Sequence, residues 1–207
     1  MATSLIYRNA VIYELAMIGL YGRHYSSRYK TIAELIPAGS EVLDMCCGPA
    51  VLYHRYLRHK SVRYIGLDIN PGFVNGLKCR GIDGRLFDLR NEGPIPKAEY
   101  VVMQASLYHF LPNPIPIINR MTAAARKRVI ISEPIRNLTH STSPLIASIA
   151  KRFTNPGSGD QARRFTEESL DEVFTRFSGY RLESRRIDGG REKVYMIDLA
   201  AEIVGSS

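Results

Sequence analysis

Residues 41–50 read EVLDMCCGPA: an apolar run enters Asp44 and then turns through small residues around Gly48. Two readings fit. The stretch is a tight buried corner, or it is a strand delivering the chain into a turn that cradles a ligand. The rest of the chain decides between them.

Short apolar runs recur: EVLDM (41–45), VRYIGLDI (62–69), GRLFDL (84–89), AEYVVMQ (98–104) and KRVIISEP (127–134). Helical patterns alternate with them in PAVLYHRYLRHK, NPGFVNGLKCRG and PIPIINRMTAAAR. Strands followed by about a dozen helical residues predict a parallel sheet covered by helices on both faces, and nearly continuous apolar strands fit that double burial. Before the sheet, Leu5, Ile12, Leu15, Ala16, Ile18 and Leu20 predict an amphipathic helix over 4–20 that ends near Gly22. SSRYKTIAELIPAGS predicts a second helix, capped by Ser26 or Ser27 and stopped at Pro37–Gly39. After residue 134 the chain turns polar and Pro/Gly-punctuated to about 165. TEESLDEVFTRF then reads as a helix capped by Thr166, with Glu168 and Ser169 in its first turn. YRLESRRI and REKVYMIDLAA, joined at DGG, read as a hairpin.

The expected fold is therefore a single α/β domain, Rossmann-like and seven-stranded. Its sheet is mostly parallel with a terminal antiparallel hairpin. Residues 1–38 form an N-terminal helical cap, 40–134 a cofactor-binding core, 135–165 a lid over an acceptor site, and 166–207 the final helix and hairpin.

Composition narrows the chemistry. The 207 residues are 45% apolar and 23% charged, an ordinary globular balance, and Lys+Arg exceeds Asp+Glu by 28 to 20. A net charge of +8 favours an anionic partner or is simply a basic solvated face. The basic residues lie in short groups such as ARKR and SRR, so no nucleic-acid-binding arm stands out. Cys46, Cys47 and Cys79 make neither a disulfide framework nor a zinc pattern, and no metal site is expected. Reduced thiols suit the cytoplasm. MATSLIYRNA lacks the layout of a secretory signal, and AVIYELAMIGLYG is too short to span a bilayer.

In open α/β sheets, ligands bind beyond the carboxyl ends of the strands. Asp44, Asp68 and Asp88 end three consecutive strands. Gly48 lets the first turn approach a ligand without a Cβ in the way. Asp68 is placed to accept from both hydroxyls of a ribose and Asp88 from an exocyclic amine. Both phosphate-binding patterns, G-x-G-x-x-G and G-x-x-x-x-G-K-[ST], are missing. Acids without a phosphate cradle fit a nucleoside that bears a positive group. Taken singly, each acid also reads as an ordinary cap or turn residue.

VLDMCCGPA resembles the first motif of class I S-adenosylmethionine-dependent methyltransferases, acid-x-Gly-x-Gly-x-Gly. YIGLDIN, RLFDL and YVVMQASLYHF resemble the next three motifs in order, so the resemblance covers about 40–135. Cys46 and Ala50 stand where that family has glycine. The resemblance implies S-adenosyl-L-methionine as cofactor. Asp44 would orient its methionine amino group, with Cys46 and Gly48 lining the turn. Asp68 would hold the ribose, Ile69 would lie against the adenine, and Asp88 with the Leu89 N–H would read the adenine edge. Gln104 and Ala105 would close the methionine side.

No [ND]-P-P-[YF] run follows the fourth strand, which argues against base methylation and leaves a small-molecule acceptor. Arg136 and Arg191 are placed to meet it if it is anionic. His109 is the candidate base, with packing as its plainer role. Tyr21, Tyr25 and Tyr108 are candidate acceptor-pocket residues. The rivals are a non-catalytic S-adenosylmethionine-binding protein, a nucleotide-dependent oxidoreductase, an RNA methyltransferase, and an enzyme acting on a lipid or prenyl acceptor at an anionic membrane, which the amphipathic N-terminus permits. The oligomeric state is open.

Overall fold

The computed structural model describes residues 10–135 and 164–199. Arg136, nearly all of the expected lid and the start of the expected first helix lie outside the described residues.

Helix α1 (Ala10–Tyr21) and helix α2 (Tyr25–Glu34) precede the sheet. The strands are β1 (Glu41–Met45), β2 (Arg63–Asp68), β3 (Asp83–Leu86), β4 (Ala98–Gln104), β5 (Ala125–Pro134), β6 (Arg181–Arg186) and β7 (Glu192–Asp198). Helices α3 (Pro71–Lys78), α4 (Ile115–Ala124) and α5 (Glu167–Thr175) fall between them. The strands form one seven-stranded sheet in the order β3-β2-β1-β4-β5-β7-β6. The first five are parallel, and β7 inserts antiparallel between β5 and β6. This is the expected fold.

Alternation within each strand sorts its side chains between two cores. Leu43 and Met45 of β1, Val101 and Met103 of β4, and Val129 and Ile131 of β5 pack with α4 and α5. Val42, Tyr100, Val102 and Ile130 pack on the other face, with Tyr25, Tyr29 and Ile32 of α2. The same alternation puts Asp44, Gln104 and Ser132 on the α2 face, because each neighbours a residue committed to the opposite face.

Two local readings shift, and the expected Thr166 cap is found. The third strand ends at Leu86, three residues early, where Leu86 pairs with Asp68 and the chain turns away at Asp88. The helix expected after β1 winds as a π-helical run, Tyr53–Leu57, closed by a 3-10 turn at Arg58–Lys60. Such widened turns recur at functional sites. The cap of α5 is a reciprocal box: Thr166 Oγ1 accepts from the Ser169 N–H, and Ser169 Oγ accepts from the Thr166 N–H. Ser169 fills the place that Glu or Gln usually takes. Among the described residues, no helix is long and apolar enough to cross a membrane.

Thr166→Ala removes the cap that orients α5. The expected loss is about 1 kcal/mol, read as a lower urea midpoint with an unchanged m-value.

Candidate functional site

The turn after β1 adopts a conformation that L residues avoid. Cys46, Gly48 and Ala50 all have positive φ, at 59°, 55° and 54°. Glycine tolerates this region freely, and other residues carry strain of order 1–3 kcal/mol each. The glycines of the family motif are thus replaced in sequence but kept in backbone shape. A Cβ at Gly48 would meet nothing within 4 Å, so the space above the turn is open.

Two ties hold the turn to β2. The Cys47 N–H donates to the Leu67 carbonyl at 3.0 Å, and the Gly48 N–H donates to Asp68 Oδ2 at 2.8 Å. Asp68 Oδ1 accepts from the Asn70 N–H at 2.8 Å. Gly66 of β2 explains the neighbouring thiol: a Cβ there would sit 2.8 Å from Cys47 Sγ. Cys47 therefore fills a gap that only glycine leaves. Burial and the nearby acids push both thiols above their usual pKa, which leaves them as packed thiols.

Asp44 is buried at 3% exposure, and its Oδ2 accepts from the Tyr64 hydroxyl at 2.7 Å. Desolvation dominates and raises its pKa to about 7, with Tyr64 opposing and Asp68 adding to the rise. Burial also raises Asp68, against its three backbone donors. Two buried carboxylates, neither ion-paired among the described residues, thus flank an open turn.

Arg28 of α2 faces them across the cleft. The cleft is lined by Arg28, Tyr29, Asp44, Cys46, Gly48 and Gln104, with Ala105 and Ser106 at its β4 end. Arg28 is itself buried, ion-paired to Glu192 at 2.8 Å, and its guanidinium lies 3.9 Å from the Tyr21 ring centre. Ser132 Oγ donates to Glu192 at 3.3 Å, and the Gln104 amide donates to the Arg28 carbonyl at 3.4 Å. Sequence reading missed Arg28 and Glu192. The two are 164 positions apart, and only the hairpin's return beside β5 brings them together. A lone Arg in an amphipathic helix carries no signal of this.

The other candidates divide. Cys46, Gly48, Gln104 and Ala105 join Asp44 in the cleft. Ala105 has φ 47°, and its N–H donates to the Ser132 carbonyl at 2.7 Å. Ile69 is 54% exposed beside Asp68, and Leu86 across the register is 59% exposed. Apolar side chains left bare next to a polar tip suit a flat ring. Asp88 forms a two-pronged ion pair with Arg90, at 2.9 and 2.8 Å, which lowers its pKa. Leu89 is buried, and its carbonyl accepts from Arg120. Tyr21 and Tyr25 are buried in the α2 core, where the Tyr25 hydroxyl donates to Glu14 at 3.3 Å. Arg191 is exposed at the β6–β7 turn.

Beyond β4, Leu107–Phe110 forms a 3-10 turn carrying Tyr108 and His109. Glu133, wholly buried at the end of β5, holds this turn: its Oε1 accepts from the Ser106 and Leu107 N–H groups at 2.5 and 2.6 Å. Burial raises the Glu133 pKa to about 8. His109 is exposed, and partial desolvation with the charges of Arg164 and Arg90 draws its pKa down. His109 is therefore a neutral, weakly basic imidazole at pH 7. Among the described residues, no three His, Cys, Asp or Glu side chains group to hold a metal.

The sheet order, the bent turn and the acids at the tips of β1 and β2 define the class I S-adenosylmethionine-dependent methyltransferase fold. Solved structures bear this out. A putative methyltransferase of Haloferax volcanii, solved with the Trm112 methyltransferase activator, superposes at TM-score 0.65 with 12% identity, over 88% of this chain and 92% of that one. Magnesium protoporphyrin IX methyltransferase of Synechocystis PCC 6803, solved with bound S-adenosylhomocysteine, superposes at 0.59 with 16% identity, over 93% and 95%. Residues 26–143 match the model of the family described as methionine biosynthesis protein MetW, and the chain belongs to that family. The bifunctional methionine biosynthesis protein MetXA/MetW of Rhodopirellula baltica is 31% identical over 134 residues, 56% of this chain. The match spans only 21% of that relative.

Two expectations test the electrostatics. Arg28→Met leaves Glu192 buried and unpaired, and costs about 3–5 kcal/mol in chemical denaturation. The double variant Arg28→Met/Glu192→Leu recovers most of that loss. Asp44 and Glu133 have folded pKa values above their unfolded ones. The stability they lend is complete at low pH and is lost as pH rises through about 7 and about 8. His109, shifted downward, works the other way but only below its unfolded value of 6.5. Between pH 6.5 and 8 the melting temperature of the ligand-free protein should therefore fall, and Asp44→Asn should flatten the first part of that fall.

Proposed function

We propose that the protein is an S-adenosylmethionine-dependent methyltransferase that acts on a small-molecule acceptor by direct in-line transfer. The observation that carries this is the pair of buried carboxylates, Asp44 and Asp68, beside the open face of Gly48. Both resist charging in isolation, so a cationic ligand is what relieves them.

When bound, S-adenosylmethionine supplies an activated methyl group on a positive sulfur. The chain's own residues bind and orient it. Asp68 keeps acceptor capacity beyond that used by the Gly48, Ile69 and Asn70 N–H groups, and this suits ribose hydroxyls. Ile69 and Leu86 offer apolar surface to the adenine, and Asp88 stands ready for its amino edge if Arg90 yields. Asp44 draws the ammonium, and Arg28 on the opposite wall suits the carboxylate of the same amino acid. Gln104, Ala105 and Ser106 close the reacting end against water. Alignment and desolvation are enough for such a displacement, so no base is required, and His109, its basicity weakened, suits orienting the acceptor. The family's description supports a setting in methionine biosynthesis.

A second reading, a binding protein that does not turn over, is favoured by Cys46 and Ala50. Both hold left-handed backbone where glycine would be unstrained.

Isothermal titration with S-adenosylmethionine and S-adenosylhomocysteine, joined to transfer of a labelled methyl group across hydroxyl, amine and carboxyl acceptors, separates the readings. Binding with transfer supports the enzyme, and binding without transfer supports the second reading. Asp68→Ala should weaken cofactor binding by about 10- to 100-fold, the worth of hydrogen bonds to a charged group. Absence of binding by the unmodified protein would sink both.

A further inference from the structure

Between β3 and β4 the chain runs through residues 87–97 without a helix or strand. The segment starts at the tip of β2, where the Phe87 N–H donates to the Asp68 carbonyl at 2.9 Å. It then folds back on itself, because a Cβ at Gly93 would lie 3.6 Å from the Phe87 ring. A loop over a strand tip holds one conformation only when its backbone polar groups are tied down. Arg120, half-buried on α4, supplies ties from outside the loop. Its guanidinium donates through Nη1 to the Leu89 carbonyl and through Nη2 to the Gly93 carbonyl, the latter at 2.9 Å.

The Leu89 carbonyl and the Arg90 N–H belong to one planar peptide unit. Arg120 holds the oxygen of that unit, and its N–H donates to Asp88 Oδ1 at 3.0 Å. Turning the plane breaks both bonds together. The Asp88 carboxylate is therefore oriented from α4 through a rigid peptide. Its other tie is the Arg90 side chain, which is 56% exposed. An exposed ion pair is worth little and yields to a ligand. The backbone bond that Arg120 backs stays in place and keeps the carboxylate aimed. Asp88 retains 26% of its side-chain surface, close to the bare Ile69 and Leu86.

We propose that Arg120 is a positioning residue for base selection: by fixing the peptide after Asp88, it holds the carboxylate where a ring amine can donate to it, and so makes the protein prefer a 6-amino purine nucleoside to its 6-oxo counterpart. The proposal rests on the methyltransferase reading, in which the ring lies on Ile69 and Leu86 beside Asp88. An ionised carboxylate has no proton to give, so it accepts from an amine and repels a ring carbonyl. Hydrogen bonds weaken steeply with angle, whereas apolar stacking tolerates displacement. Loosening Asp88 therefore costs the amino form more than the oxo form. Arg120 itself touches no ligand and acts through the loop.

The test measures, by isothermal titration of the whole protein, the affinities for S-adenosylhomocysteine and for S-inosylhomocysteine, which carries an oxo group in place of the ring amine. The unmodified protein should prefer the amino form by at least about tenfold, the low end for a hydrogen bond to a charged group. Arg120→Met should remove most of that preference by weakening S-adenosylhomocysteine, with S-inosylhomocysteine bound as before. Arg120→Lys keeps a charge and a donor but not the fork, and should retain part of it. In an Asp88→Asn background Arg120→Met should change the preference no further, because the two residues act through one contact. A lower melting temperature with the preference intact marks Arg120 as a purely structural clamp and overturns the proposal. Absence of any preference in the unmodified protein overturns it as well, and in both cases binding of S-adenosylhomocysteine leaves the cofactor reading standing. If Arg120→Met does not fold, Arg120→Lys decides, and a full preference there counts against the proposal. If S-adenosylhomocysteine fails to bind the unmodified protein, the cofactor reading falls first and takes this role with it.

Discussion

The bond from the Gly48 N–H to the Asp68 carboxylate ties the tip of β1 to the tip of β2, and the site is built around it. A turn that places Cys46, Gly48 and Ala50 at positive φ is strained by itself. It persists because the next strand's acid and the Leu67 carbonyl both accept from it, while Cys47 drops into the gap above Gly66. The same carboxylate also accepts from the Asn70 N–H, so one group braces both the turn after β1 and the start of α3.

A second constraint holds the N-terminal helices in place. Arg28 reaches from α2 to Glu192 on β7, and Tyr21 covers its guanidinium. A buried ion pair adds little net stability over an apolar pair, but breaking it is costly, so it specifies position more than strength. Here that position makes α2 the far wall of the cleft. The N-terminal helices are thereby registered against β7, the last strand in the chain, and the cleft wall depends on residues from both ends of the described chain.

The two faces of the sheet divide the chemistry. On the α2 face lie Asp44, Gln104 and Arg28, all lining the cleft. On the α4–α5 face, Glu133 braces the Leu107–Phe110 turn, and Arg164 stacks on it. Neighbouring residues of β5, Ser132 and Glu133, point to opposite faces by strand alternation and serve these two groups separately. Burial raises the pKa of Asp44 on one face and of Glu133 on the other.

Much of this was written in local pattern. The five apolar runs, the spacing of Asp44 and Asp68, the Thr166 cap and the DGG hairpin come from short-range periodicity and turn chemistry, so the sequence alone determined the sheet, its terminal hairpin and the placing of Asp44 and Asp68 near the ends of neighbouring strands. Boundaries that depend on neighbours were not legible. β3 stops at Leu86 because pairing with β2 stops there, and the helix after β1 widens to a π turn that no periodicity announces. Arg28 with Glu192, and Arg164 with Tyr108 and Glu133, came only from the tertiary structure. Their meeting is decided by which strand lies next to which, and single residues far apart in the chain carry no trace of it.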